Sequence, residues 1–389
     1  MRTSTNQGST ALILPGGGAR GAYQVGVLKA VRDIAGDAGN PFPIICGTSA
    51  GAINAAVLAS HAHEFGIGVD KLEQFWSTMQ CSRVYRTDLW SVFKSAIHWA
   101  LSMSLGASLV GSPKSLLDNE PLRGFLEETL QLEGLDTAID SGSLRGLTIT
   151  AAGYSCASAI SFYQGQAGIE PWSRVRRHGR PAKISVDHLL ASAALPFLFP
   201  AVLIGSEYFG DGGIRMLAPL SPAIHLGADR LLVITTRDEK PDPSPENLVP
   251  YPTPGEIGGY LLDTIFMDTL NSDLNRMNRI NRMLALMPED LQATSGLKRM
   301  DSLVIRPSRD LRDVTQEHAS EIPWAVRMLL RALGGWGKDW RMASYLLFES
   351  AYCKELISLG YQDGLNARQD LLDFLWGNKG SGSINQADD

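Results

Sequence analysis

The chain has 389 residues, enough to bury a large core as one big domain or two. Its 44% hydrophobic and 20% charged content is that of an ordinary globular protein, which excludes a disordered or fibrous chain. A net charge of −6 argues against a nucleic-acid partner.

Residues 1–10 are polar and run straight into the first strand pattern, so no signal peptide is read there. Ala11-Leu12-Ile13-Leu14 has the form of a short buried strand. Pro15-Gly16-Gly17-Gly18-Ala19-Arg20-Gly21 follows, and residues 22–31 then carry apolar side chains at helical spacing. Three consecutive glycines leave backbone N–H groups unshielded, so the loop can cradle an anion: a phosphate or the oxyanion of an acyl transfer. Arg20 adds a positive charge at the rim or locks the loop through a hydrogen bond. Gly16, Gly18 and Gly21 also satisfy the dinucleotide fingerprint. That fingerprint expects an acidic residue at the end of the next strand, whereas here the strand ends at Cys46-Gly47. Close packing of helix on strand is a further use for the same glycines.

The apolar run at 42–46 leads into Gly47-Thr48-Ser49-Ala50-Gly51, and a helical pattern fills 52–59. This is a G-x-S-x-G serine at a strand-to-helix turn. Small residues two before and two after it permit a tight turn that pushes the hydroxyl outward. The helix that follows aims its first N–H groups back at the turn. A small-residue turn that merely packs a helix on a strand fits the same five residues.

Residues 89–110 are long and apolar but interrupted by Lys94, His98 and several serines, which argues against a membrane span. A core helix and a cap that touches lipid are both compatible with them. Strand patterns recur at 43–46, 147–153, 160–163, 207–210 and 230–235, with helices in most gaps. Short apolar strands alternating with helices argue for a mainly parallel sheet covered on both faces, an α/β fold of three layers. The glycine loop and the serine turn then lie at carboxyl ends of strands, where open sheets place their sites. After 207–210 comes Asp211-Gly212-Gly213, an aspartate whose glycine neighbours allow close approach to another turn, although Asp-Gly-Gly is commonly just a turn.

A serine nucleophile needs a base. None of the histidines, at 61, 63, 98, 178, 188, 225 and 318, sits in a motif that nominates it. Cys46, Cys81, Cys156 and Cys353 lack disulfide or metal spacing, so free thiols in a reducing cytoplasm are expected, with no metal or other cofactor.

Residues 242–254 are proline-rich and read as an exposed linker. Helices are expected at about 255–285, 314–334 and 342–375, with one strand-like run at 302–307 that can return to the main sheet. The stretch 322–341 combines an apolar face, cationic positions and tryptophans; an interfacial helix and an ordinary amphipathic helix both fit it. The chain thus divides into 8–240, a mostly helical 241–376 that packs on or completes the same domain, and a glycine- and serine-rich tail at 377–389, expected to be disordered.

Gly16-Gly17-Gly18-Ala19-Arg20-Gly21, Gly47-Thr48-Ser49-Ala50-Gly51 and Asp211-Gly212-Gly213, in this order, resemble the patatin-like phospholipase family. The stretch 191–200 looks like the segment that precedes the Asp turn in that family. The resemblance implies a patatin-like fold, to which the mostly helical 241–376 adds a C-terminal extension. It implies a hydrolase of lipid acyl esters, with Ser49 as nucleophile and Asp211 as its partner. Gly16, Gly17 and Gly18 would form the oxyanion hole with Arg20 supporting the loop, and Gly21, Gly47, Gly51, Gly212 and Gly213 complete the motifs. The expected partner is a phospholipid or other acyl-ester lipid, met by transient contact with a membrane surface. A phosphate- or nucleotide-binding module without hydrolase activity, and an esterase for small soluble esters, are the alternatives.

Overall fold

A computed structural model describes residues 9–105, 114–238, 242, 250–337 and 339–377. Most of the 242–254 linker and nearly all of the 377–389 tail therefore lie outside the described residues, as do 1–8 and 106–113.

The strands are β1 (Thr10–Leu14), β2 (Ile44–Thr48), β3 (Gly146–Gly153), β4 (Ser158–Gly165), β5 (Trp172–Arg174), β6 (Arg177–Pro181), β7 (Val202–Ile204), β8 (Glu207–Asp211), β9 (Arg230–Ile234) and β10 (Asp301–Ile305). They form one sheet in the order β10-β9-β1-β2-β3-β4-β6-β5, with β8 attached to β3 and β7 to β8. From β10 to β3 every pairing is parallel. Beyond β3 the sheet turns mixed, because β4 folds straight back on β3 as a hairpin. The central parallel strands β1 and β2 are buried on both faces, which explains their continuous apolar sequences.

Alternate residues of these strands feed two separate cores. Leu12, Leu14, Ile45, Leu147 and Ile149 join Tyr23, Val27, Ala52 and Ala56 of α1 (Ala22–Ala35) and α2 (Ala50–Ser60). Ala11, Ile13, Ile44 and Cys46 join Ala223 and Leu226, and Leu270 and Leu274 of the helix Thr269–Leu286. The molecule is a three-layer α/β/α sandwich.

The C-terminal third contributes to both the sheet and a helical layer. β10 extends the sheet beside β9. The helix Ser350–Asn366 lies along α1, where Tyr23 donates its hydroxyl to Asp363 at 3.0 Å. The helices expected at 255–285, 314–334 and 342–375 are each interrupted. Pro254–Asp263 and Thr269–Leu286 are joined by a π turn at Thr264–Asp268, and Pro323 starts a fresh helix, Trp324–Leu333. Arg341–Leu346, Ser350–Asn366 and Arg368–Trp376 replace the last long helix.

Candidate active site

β2 ends at Thr48 and α2 starts at Ala50, so Ser49 alone makes the corner. It does so at φ 56° and ψ −129°, a conformation that costs a non-glycine residue about 1–3 kcal/mol. Two features hold it there. The first turn of α2 presses against the end of β1, where a Cβ at Gly51 would be driven into the Leu14 carbonyl. The Ser49 N–H donates to Ser192 Oγ at 2.9 Å, and that hydroxyl donates to the Thr150 carbonyl at 2.6 Å. Nothing in the sequence singled out Ser192 beyond its place in the 191–200 segment.

The topology of β3 brings Asp211 to this corner. β4 occupies one edge of β3 along its whole length, from Gly146 to Gly153. The other edge is shared: β2 pairs with Gly146 to Thr150, and β8 comes from the opposite direction to pair with Ala151 to Gly153. β2 stops with Thr48 opposite Thr150, and β8 stops with Asp211 opposite Ala151. The two strands meet end to end, so the residues following Thr48 and ending β8 are forced together.

Asp211 is wholly buried and Ser49 is 2% exposed. One carboxylate oxygen, Oδ1, accepts from the Gly213 N–H at 2.8 Å, while Oδ2 is buried without a hydrogen-bond partner. Burial pushes the carboxyl up to about 7, against the lowering influence of the Ser49 hydroxyl and the Gly213 N–H. The hydroxyl is thus near enough to act on the carboxyl electrostatically, yet no hydrogen bond of ordinary geometry joins them; loose contacts of this kind are common before substrate binds.

The glycine loop is held by its carbonyls. Gln24 donates to the Pro15 carbonyl, Thr236 to that of Gly16, and Asn54 to that of Gly21. Asn54 also links to Gln24 and accepts from the Trp76 indole at 2.7 Å. No described hydrogen bond uses the N–H of Gly17 or Gly18. Gly18 has φ +56° and lies against the Tyr345 carbonyl, so a side chain there meets both backbone strain and a clash.

Arg20 does not sit at a rim: it is 2% exposed. Its Nε and Nη2 donate to Ser344 Oγ at 2.9 and 2.6 Å, and Nη1 pairs with Asp263 at 3.2 Å. The guanidinium lies over the Tyr345 ring, 4.2 Å from its centroid. Asp263 also pairs with Arg237 and Arg341 and accepts from the Tyr345 hydroxyl at 2.8 Å. Burial alone would lift the Asp263 carboxyl, but Arg20, the Tyr345 hydroxyl, Arg237 and Arg341 hold it below the usual range. Asp263 and Ser344 escaped the sequence reading because they lie 243 and 324 residues from Arg20.

A small cavity runs beside the three motifs, and neither Ser49 nor Asp211 is on its wall. Gly16, Gly47, Thr48 and Gly213 line it, with Cys46, Thr148, Thr150, Met216, Ile265 and Leu270. Its volume of about 20 Å³ accommodates one water and no acyl chain. No histidine lines it. His61 bonds within α2, His188 caps its own helix, His225 stacks on Trp172, and His318 pairs with Glu321 and Glu355.

Among known proteins, the lysophospholipase nte1 of Aspergillus terreus is 54% identical over 54 residues. That stretch is 14% of this chain and only 3% of the length of the relative. The crystal structure of VipD from Legionella pneumophila aligns over 95% of this chain and 87% of its own, at 12% identity and a TM-score of 0.33. At that similarity it adds nothing to the assignment. The patatin-like phospholipase model matches residues 12–224, a span that takes in the glycine loop, the Ser49 corner and the Asp211 turn. With more than half its length accounted for in this way, the chain belongs to the patatin-like phospholipase family.

Proposed function

We propose that this chain hydrolyses fatty-acyl ester bonds of phospholipids or lysophospholipids through a Ser49–Asp211 dyad. Ser49 Oγ attacks the ester carbonyl while its proton passes to Asp211. The developing oxyanion is held by N–H groups of the glycine loop, with the N-terminus of α2 behind the corner. The carbonyl re-forms, the alkoxide leaves with the proton from Asp211, and Ser49 carries the acyl group. Water then attacks the acyl-enzyme, gives its proton to Asp211, and the fatty acid departs as Ser49 recovers that proton.

The observation that carries this reading is the end-to-end meeting of β2 and β8 on one edge of β3. It sets a strained serine beside a wholly buried carboxyl with its pKa near 7. An ordinary aspartate is a poor base at neutral pH; one lifted to about 7 suits the task. Lipid enters the reading through family membership, and the substrate is met at a membrane surface. Among the described residues no helix is long and apolar enough to cross a membrane.

A fluorophosphonate probe should label Ser49, and mass spectrometry of mixed phospholipids should report released fatty acid. Ser49→Ala and Asp211→Asn should each lose on the order of 10³-fold or more in rate while remaining folded. Retention of most activity in either variant removes the dyad.

A further inference from the structure

Two helices that the proposed chemistry does not use lie against each other on the outside of the molecule, Leu89–Leu105 and Trp324–Leu333. On the first, Trp90, Phe93, Ile97 and Leu101 recur at helical spacing on one face. All four are exposed, Trp90 by 75% and Phe93 by 61%. On the second, Trp324 and Met328 are exposed one turn apart. Single exposed apolar side chains need no explanation, but six large ones on two adjoining helices do. The first helix is nonetheless seated on the protein: Ser102 is buried, and Trp99 meets Phe197 edge to face at 5.8 Å.

Charge narrows the occupant. Neither helix contains an aspartate or glutamate. Lys94 is exposed within the apolar stripe of the first. At 100° per residue, Arg327 and Arg331 fall on the same side of the second as Trp324 and Met328. The Arg331 guanidinium lies over the Trp336 ring at 5.3 Å. A cationic apolar face on a chain of net charge −6 is a local feature, and it complements a surface that is anionic outside and hydrocarbon beneath. Tryptophans beside arginines and a lysine suit the headgroup boundary. The face also connects to the candidate site. Trp324–Leu333 packs on the helix Pro254–Asp263, whose last residue grips Arg20, and the π turn that follows places Ile265 on the cavity.

We propose that this two-helix face docks on an anionic lipid bilayer and is the membrane-facing surface of the molecule. The purpose assigned to it rests on the lipid hydrolase reading above, whereas its binding can be measured without catalysis. The full chain carrying Ser49→Ala, which leaves vesicles intact, is mixed with phosphatidylglycerol–phosphatidylcholine vesicles and floated. It should float with them, less with phosphatidylcholine alone and less at high salt. Phe93→Ser with Ile97→Ser, both at exposed positions, should cut the bound fraction roughly tenfold. In the otherwise unchanged chain the same pair should spare hydrolysis of a short soluble ester and lose hydrolysis of vesicle lipid. The proposal is overturned if no vesicle is bound, or if the paired variant floats as well as its parent. It is equally overturned if that variant turns a dimer into a monomer without altering flotation, since the face then belongs to a second copy. Flotation without ester hydrolysis leaves the face standing and removes the hydrolase; ester hydrolysis without flotation does the reverse.

Discussion

Asp211→Asn separates what the buried carboxyl does for chemistry from what it does to stability. In the folded chain, burial sets this carboxyl to about 7; in the unfolded chain it ionises at its ordinary 3.8. Between these values the folded state keeps a proton that the unfolded state has released, so its stability falls as pH rises. The stabilising contribution is whole below about pH 4 and gone above about pH 7. The full span corresponds to about 4 kcal/mol, and the part between pH 5 and 8 to about 3 kcal/mol. Asparagine keeps an oxygen for the Gly213 N–H and carries no charge, so the variant escapes this loss.

Denaturant unfolding of wild type and Asp211→Asn at pH 5 and pH 8 measures the difference, and every other titrating group cancels between the two proteins. The wild type should lose about 3 kcal/mol relative to the variant over that interval. At pH 8 the variant should be the more stable protein. A gap that is the same at both pH values shows that the carboxyl is not held protonated by burial, and the argument for it as a base at neutral pH fails with it.

Other residues make separate predictions. Asp263→Asn leaves the buried Arg20 guanidinium short of its counter-charge, so stability should fall by about 3–5 kcal/mol; kcat should drop with KM little changed, and an unaltered melting curve and kcat would show the Arg20 clamp to be idle. Ser192→Ala removes the bridge from the Ser49 N–H to the Thr150 carbonyl, and about 1–3 kcal/mol should appear as lost stability together with slower fluorophosphonate labelling. Gly360→Val forces a side chain into the Tyr23 carbonyl where Ser350–Asn366 crosses α1; a loss of roughly 3 kcal/mol or more in urea unfolding is expected, and tolerance of the substitution would mean the two helices are not in close contact.

Local signals were legible because they are read within a few residues. The glycine loop, the Ser49 turn and the Asp211 turn each declare themselves by small residues at fixed spacing, and β1, β2, β3 and β9 by continuous apolar runs. What brings Ser49 and Asp211 together is the shared edge of β3, a property of strand order that no local spacing encodes. The far end of the sheet was equally silent: β6, paired between β4 and β5, reads Arg-His-Gly-Arg-Pro and has no apolar alternation to announce it. β5 and β7 are three residues each. The breaks in the C-terminal helices come from Pro323 and from the π turn at Thr264–Asp268, whose apolar sequence looks uniformly helical. The helix expected across 89–110 is described only to Leu105, the remainder lying outside the described residues.

In the proposed mechanism the burial that suits Asp211 to act as a base also hides Ser49, and the two requirements can be reconciled only if substrate replaces the wall it displaces. Ser49 is 2% exposed and Asp211 is wholly buried, so the site must open for lipid to enter. Opening lets water reach Asp211, and a hydrated carboxyl returns toward its ordinary pKa, where it is a weak base. A long acyl chain seated over the site restores the dry surroundings, whereas a short ester leaves them wet. The pH dependence of kcat, which reports the bound complex, should therefore differ between substrates. With long-chain esters the rate should rise through an apparent pKa of about 7. With short soluble esters the midpoint should lie lower and the plateau should be lower too, because proton transfer to the weaker base is slower. The profile of kcat/KM, which reports the free enzyme, should show the same midpoint for both. Identical kcat profiles for long and short chains would mean that substrate contributes nothing to the dryness of the site, and the carboxyl would then have to owe its pKa to protein walls that never move.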